Sequence, residues 1–217
     1  MRNPFIASVI IGLLTVFLPF AGAHALPVGA PVRTVEAGGF SLSGSIGYTS
    51  MEVDNVDVKS KSFMTKGSFG AGDGVMPYIK LGFADLEVDG GFEGTLDFAF
   101  GGGVLMDIVT QESGSGFRFS FDAQVLWCSS SENSGSYDLF EGQLTLLGST
   151  RNGGTSPYAG LSASFVNLDG GGVSASENGR AHILFGVDYF MDYNFYFNAE
   201  AHLFGEDQVS VGVGYKF

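Results

Sequence analysis

The chain has 217 residues, with 10 basic and 23 acidic side chains and a formal net charge of −13, so a polyanionic partner such as nucleic acid is disfavoured by repulsion. Hydrophobic residues make up 45% of it, yet beyond residue 25 no stretch approaches the roughly 18 continuous apolar residues of a membrane-crossing helix, which excludes a helical membrane protein. Its single cysteine, Cys128, excludes an intramolecular disulfide.

Residues 1–25 have the layout of an export signal. Arg2 supplies a positive start, Phe5 to Phe20 are almost wholly apolar, and Ala23-His24-Ala25 closes with small residues, which predicts cleavage after Ala25. Leu26 rather than cysteine follows, so lipid attachment there is not expected. Residues 26–39 are expected to form an N-terminal periplasmic segment, and residues 40–217 a single all-β domain.

Period-two alternation begins at Phe40, where Phe40, Leu42, Ile46 and Tyr48 form the first apolar row. The next, Phe63 to Phe69, is the weakest, and Ile79, Leu81 and Phe83 form the third. Leu96, Phe98, Phe100, Val104 and Met106 oppose Asp97, Ala99, Gly101 and Gly103. Phe117, Phe119, Phe121, Ala123, Val125 and Trp127 oppose Arg118, Ser120, Asp122, Gln124, Leu126 and Cys128. Phe140, Leu144 and Leu146 follow, then Ala159, Leu161, Ala163 and Phe165, then Ile183, Phe185, Val187 and Tyr189. Phe195, Phe197, Ala199, Ala201 and Leu203 oppose Tyr196, Asn198, Glu200 and His202. The last row is Val209, Val211, Val213, Tyr215 and Phe217, opposed by Ser210, Gly212, Gly214 and Lys216.

The pattern predicts ten strands, at about 40–51, 62–70, 77–86, 95–108, 117–128, 137–148, 157–167, 181–190, 195–204 and 209–217, with eight as the fallback count. The gaps are rich in Gly, Ser, Asn and Asp and read as turns. The glycine clusters Gly67–Gly74 and Gly101–Gly103 lack phosphate-loop spacing and read as strand bends and turns. Glu52, Asp54 and Asp57 lack calcium-loop spacing and read as a solvated acidic loop.

An alternating chain of this kind closes either around an apolar core in water or around a polar lumen in a membrane. The non-apolar rows carry few charges, diluted by Gly, Ser, Thr and Ala. That is thin for a solvated exterior and suited to a narrow lumen filled by small residues and paired charges. The expected fold is therefore a closed antiparallel up-and-down transmembrane β-barrel. Its lumen-lining candidates are Lys66, Lys80, Asp97, Arg118, Asp122, Glu141, Asp188 and Glu200, with His182, His202 and Ser210. With both barrel ends of the chain in the periplasm, the external connections fall near Asp54, Gly90, Glu132, Gly171 and Glu206, and all are short.

Pairing around the last two hairpins is expected to set His182 opposite His202 and His202 opposite Ser210, near the outer rim. Two imidazoles are fewer than the three or four ligands a metal site needs. A His–Ser pair needs an acid in reach, whereas Glu200 is expected about 7 Å along the strand. A hydrogen-bonded rim is the plainer reading, and no metal or other cofactor is expected.

With its leader, its meander of strands and an ending in Tyr215 and Phe217, the chain resembles the small outer-membrane β-barrel superfamily that includes the OmpA transmembrane domain and the Opa-type adhesins. The likeness covers Phe40 to Phe217, and includes the strands starting Pro77-Tyr78 and Pro157-Tyr158. It implies that Tyr215 and Phe217 are the signal read by the barrel-assembly machinery. The chain departs from OmpA in lacking a peptidoglycan-binding domain and from Opa adhesins in lacking long loops. The expected function is a structural or porin-like outer-membrane barrel with a narrow, largely occluded polar lumen. A lipid-modifying enzyme and a binder of a surface ligand are the alternatives. Expected partners are outer-membrane lipids, the assembly machinery, and small ions or a surface ligand.

Overall fold

The computed structural model describes residues 27–29, 35–88, 91–110, 116–132, 135–192, 194–204 and 207–217. The expected export leader and its expected cleavage point lie outside them. In chain order the strands are β1 (Phe40–Val53), β2 (Val56–Phe69), β3 (Val75–Ala84), β4 (Glu87–Val88), β5 (Phe92–Glu93), β6 (Asp97–Thr110), β7 (Arg118–Glu132), β8 (Gly135–Ser149), β9 (Thr155–Gly170), β10 (Val173–Phe190), β11 (Phe195–Leu203) and β12 (Asp207–Lys216).

Ten of these are the staves of a closed antiparallel barrel, each paired with its neighbours in the chain, and β3 pairs with β6 across the short β4–β5 hairpin. Closure is made by β1, whose Ile46 faces Val211 of β12 on one side and Phe63 of β2 on the other. Beyond the last strand, the Phe217 N–H donates to the Phe40 carbonyl at 2.9 Å. The barrel is thus ten-stranded, up-and-down and without a free edge, which is the architecture of the small outer-membrane β-barrels.

The chain enters and leaves the barrel at one end, called here the near end, where Phe40 and Lys216 lie. The far end carries tight turns. Asp54 and Asn55 have φ of 49° and 67°, and Gly171 and Gly172 have 58° and 80°, the left-handed pair that matches the twist of two-residue hairpins. Both fall where the external connections are expected. At the near end Asp192 accepts from the N–H groups of Asn194 (2.8 Å) and Phe195 (2.6 Å) and closes the β10–β11 turn.

Over the near two-thirds of the barrel the faces are inverted relative to a soluble protein. Leu161 and Ile79 are 63% and 61% exposed on the outside, whereas Asp122, Glu141, Gln143 and Asp188 are wholly buried inside. Towards the far end the polarity switches. On β9 the outward row passes from Leu161 and Phe165 to Asn167 and Asp169, while the inward row passes from Ser162 and Ser164 to Val166 and Leu168. On β2, Lys59 and Lys61 face out and Val58 is buried. The far-end interior is therefore apolar, a cluster built on Met51, Val53, Val58, Leu139 and Leu168 and covered by Leu86, Val88 and Phe92 of the β4–β5 excursion.

This corrects two expectations. The lumen is polar chiefly at mid-height, with an apolar far end and a second apolar cluster of Met76, Leu105 and Leu147 on the near-end side, and several strands run further than predicted: β2 starts at Val56 rather than 62, and β10 at Val173 rather than 181. A 14-residue strand is roughly 45 Å long, and at the usual barrel tilt it rises about 35 Å, more than the ~25 Å apolar band of an outer-membrane barrel. A stretch longer than such a band would meet water outside and need an ordinary apolar core inside, which is the pattern of the far end.

Three inward tyrosines account for three of the strand glycines. Tyr78 lies opposite Gly103, Tyr158 opposite Gly186 and Tyr196 opposite Gly214. A Cβ on any of these glycines would overlap the facing tyrosine, so each ring lies flat over a partner that has no side chain. Gly186→Val is expected to displace Tyr158 and to cost about 1–3 kcal/mol, seen as a lower temperature at which the compact electrophoretic band converts to the unfolded one. Gly44→Ala, where a Cβ meets nothing within 4 Å, is expected to leave that temperature unchanged.

Candidate functional site

A buried polar network crosses the lumen at mid-height. On one wall, Tyr78 of β3 donates to Asp122 of β7 at 2.9 and 3.0 Å. Lys80, also on β3, donates to Gln124 Oε1 at 2.5 Å. The Lys66 ammonium of β2 sits 4.2 Å from the centre of the Tyr78 ring, near enough for a cation–π contact. On the opposite wall, Glu200 of β11 accepts from Tyr158 Oη at 2.6 Å and contacts His202 Nε2 at 2.7 Å. Asn198 links Tyr158 (2.9 Å) to Asp188 (2.7 Å).

The two walls are joined by Pro27, Val28 and Gly29. Lys80 donates to the Pro27 carbonyl at 2.5 Å, and Lys66 to the carbonyls of Val28 (2.6 Å) and Gly29 (2.9 Å). The N–H groups of Val28 and Gly29 donate to the two Glu200 oxygens at 2.7 and 3.1 Å. Positive charge from β2 and β3 thus meets the carbonyl side of the segment, and negative charge from β11 meets its amide side, so its backbone dipoles are matched at both faces. Val28 is fully buried, packed with Met76, Leu105, Leu147 and Leu184. Pro27–Gly29, part of the expected N-terminal periplasmic segment, lie inside the barrel, where they supply these polar walls with partners.

Of the lumen candidates, Lys66, Lys80, Asp122, Glu141, Asp188, Glu200, His182, His202 and Ser210 are all buried. Asp97 and Arg118 are instead at opposite rims. Asp97 accepts from the Phe98 N–H at the far end, and Arg118 pairs with Asp107 at 3.4 Å near the start of β7. Tyr215 and Phe217 are 42% and 72% exposed on the outside, continuing the outward row of β12.

The histidine row differs from expectation by two residues of register. His202 faces Leu184 and Gln208 rather than His182 and Ser210, and Ser210 faces Glu200. A two-residue shift leaves every side chain on the same face, which is why the row is inward as predicted although its pairs are not. The β11–β12 connection is also shorter, with Phe204 at a φ of 67° directly after the strand. Glu200, expected out of reach, contacts His202 because neighbouring long side chains on one face lean together. The His182 and His202 rings are 5.1 Å apart, and both are buried. Among the described residues no group of three or more His, Cys, Asp or Glu side chains is placed to hold a metal ion.

Sequence reasoning missed Tyr78, Tyr158 and Asn198 as network members and the role of Pro27–Gly29. An aromatic in the inward, small-residue row directly after a proline was the available signal for the two tyrosines. Nothing in the composition of 27–29 marks it as a partner for Glu200.

No family model matches the chain, and no curated protein matches its sequence. Among solved structures it is similar to an outer membrane channel from Pseudomonas putida F1, with a TM-score of 0.49 and 10% identity over 92% of this chain and 100% of that one. It is similar to the translocator domain of the autotransporter NalP from Neisseria meningitidis, with a TM-score of 0.44 and 12% identity over 99% and 95% of the two chains. For the outer membrane protein OprG from Pseudomonas aeruginosa the TM-score is 0.38, at 12% identity over 85% and 98%.

Removing the Glu200 carboxylate leaves two buried N–H groups, Tyr158 and His202 without their acceptor. Glu200→Ala is expected to lower stability by about 3–5 kcal/mol, and Glu200→Gln by less than half of that because one carbonyl acceptor remains. Denaturant titration of the folded barrel in detergent measures both.

Proposed function

We propose that the chain is an outer-membrane β-barrel protein, structural or porin-like, whose lumen is closed at rest. The observation that carries this reading is the inversion of faces. A belt that includes Phe63, Ile79, Phe83, Phe98, Leu144 and Leu161 is exposed around the barrel, and Lys66, Lys80, Asp122, Glu141, Asp188 and Glu200 are buried inside. An apolar belt of this extent is unfavourable in water and favourable in lipid. Outer-membrane lipids are then its solvent, with the near end in the periplasm and the short far-end turns outside. The outward Tyr215 and Phe217 fit the signal presented to the assembly machinery.

Three layers support a closed lumen: the apolar far-end cluster, the polar network at mid-height, and Val28 with its apolar neighbours. A lipid-modifying role has less support, since the His182, His202 and Ser210 row is buried and His202 faces Gln208 rather than Ser210. The far-end turns are short apart from the β4–β5 excursion, which packs on the far-end cluster, and this gives less support to a surface-ligand binder.

In planar bilayers the purified chain is expected to show small or no steady conductance, and unheated samples to migrate apart from boiled ones. A large, steady open channel would overturn the closed lumen, and recovery in the soluble fraction without a heat shift would overturn the membrane placement. His182→Ala with His202→Ala is expected to change neither metal uptake nor lipid hydrolysis; a loss of either would restore the enzymatic reading.

A further inference from the structure

A cavity of about 50 Å³ lies beside the polar network, bounded by the inward faces of β1, β2 and β12. One side of it carries neutral hydroxyl and amide groups, among them Thr49, Ser60, Ser62, Gln208 and Ser210. Ser60, Gln208 and Ser210 are 1–2% exposed, and each presents a buried oxygen with no hydrogen-bond partner. Buried polar atoms in folded proteins are almost always satisfied, so three orphaned oxygens on one wall point to a guest that hydrogen-bonds to them. The two charged side chains at the border, Lys66 and Lys80, already donate to the carbonyls of Pro27, Val28 and Gly29 and to Gln124. What is left to receive a guest is therefore uncharged.

The same three residues, Pro27–Gly29, form part of the cavity boundary. They belong to no strand, and the barrel's hydrogen-bonded ladder closes through β1 and β12 without them. On another side Met64, Ala84, Leu126 and Cys128 close the cavity with apolar surface. The cavity can thus be opened without breaking the wall only by withdrawing the segment.

We propose that this cavity is a binding site for small uncharged hydroxyl-bearing solutes, water included, and that Pro27–Gly29 is its removable stopper. The proposal rests on the closed barrel argued above and adds to it the class of solute and the part that moves. Entry is from the near end, and the segment is held by matched charge on Lys66, Lys80 and Glu200 rather than by strand pairing.

The test uses a cysteine at position 210 (Ser210→Cys, with Cys128→Ala) in refolded, heat-shifting barrel. Methyl methanethiosulfonate is expected to react with it slowly in the full chain. It should react about tenfold faster or more once the stopper is removed by deleting residues 26–34, or loosened by Val28→Asp, which sets a second carboxylate against Glu200. Both changes lie outside the strands, and the second guards against a deletion that fails to fold. Glycerol is expected to slow the reaction in the opened barrel, and the ammonium-bearing analogue of the reagent to react more slowly than the neutral one. Equal rates in closed and opened barrels would overturn the stopper, and equal entry of charged and neutral reagents would overturn the solute class. Neither result depends on conductance, so a failure here is separable from a failure of the closed-lumen reading, which rests on the bilayer measurement of the unaltered chain.

Discussion

Closure of the hydrogen-bonded ladder is the constraint from which the rest of this structure follows. Backbone N–H and C=O groups have no water to bond in a lipid layer, so a strand there survives only with a neighbour on both sides. Here β1 meets both β2 and β12, and the ladder runs unbroken around the barrel. Once closed, the ladder divides every strand into an inward and an outward row, and the surroundings at each height decide which row is apolar. On β9 the outward row is Leu161 and Phe165 at mid-height and Asn167 and Asp169 towards the far end, where the apolar row moves inside to Val166 and Leu168.

The interior at mid-height is consequently a place where charge must be matched by protein. Glu200 is the hub, meeting Tyr158, His202 and two backbone amides of the N-terminal segment. Its counterparts Lys66 and Lys80 meet the carbonyls of the same segment. Buried charges held this way are expensive to leave unpaired, which ties three residues that form no strand to walls formed by β2, β3, β9 and β11. Glycine makes the space. Gly103, Gly186 and Gly214 let Tyr78, Tyr158 and Tyr196 lie across the wall, and the first two carry their hydroxyls to Asp122 and Glu200.

How much of this was legible in the chain varied with height. Wherever the outward row is apolar, alternation alone placed the strands and the faces: Ile79, Leu81 and Phe83 are outward, and Lys80 is buried inward. The start of β10 was lost because its outward row there is Ser174 and Ser176, with Ala175 buried, so an apolar outward row is absent where the strand stands in water. Face survived errors of register and partner did not. His182, His202 and Ser210 were placed inward correctly, but a shift of two residues changed what each one faces.

By itself the sequence determined the class of the fold, a count of ten staves with eight as the alternative, and the direction of each side chain where the outward row is apolar, because all of these depend only on a period of two and on hydrophobicity. The tertiary structure alone decided which inward groups touch, that the far-end interior is apolar, and that Pro27–Gly29 occupy the lumen between Lys66, Lys80 and Glu200. Those outcomes depend on register, strand tilt and contacts between residues more than 170 positions apart, such as Val28 and Glu200, and no local pattern along the chain encodes a distance across a barrel.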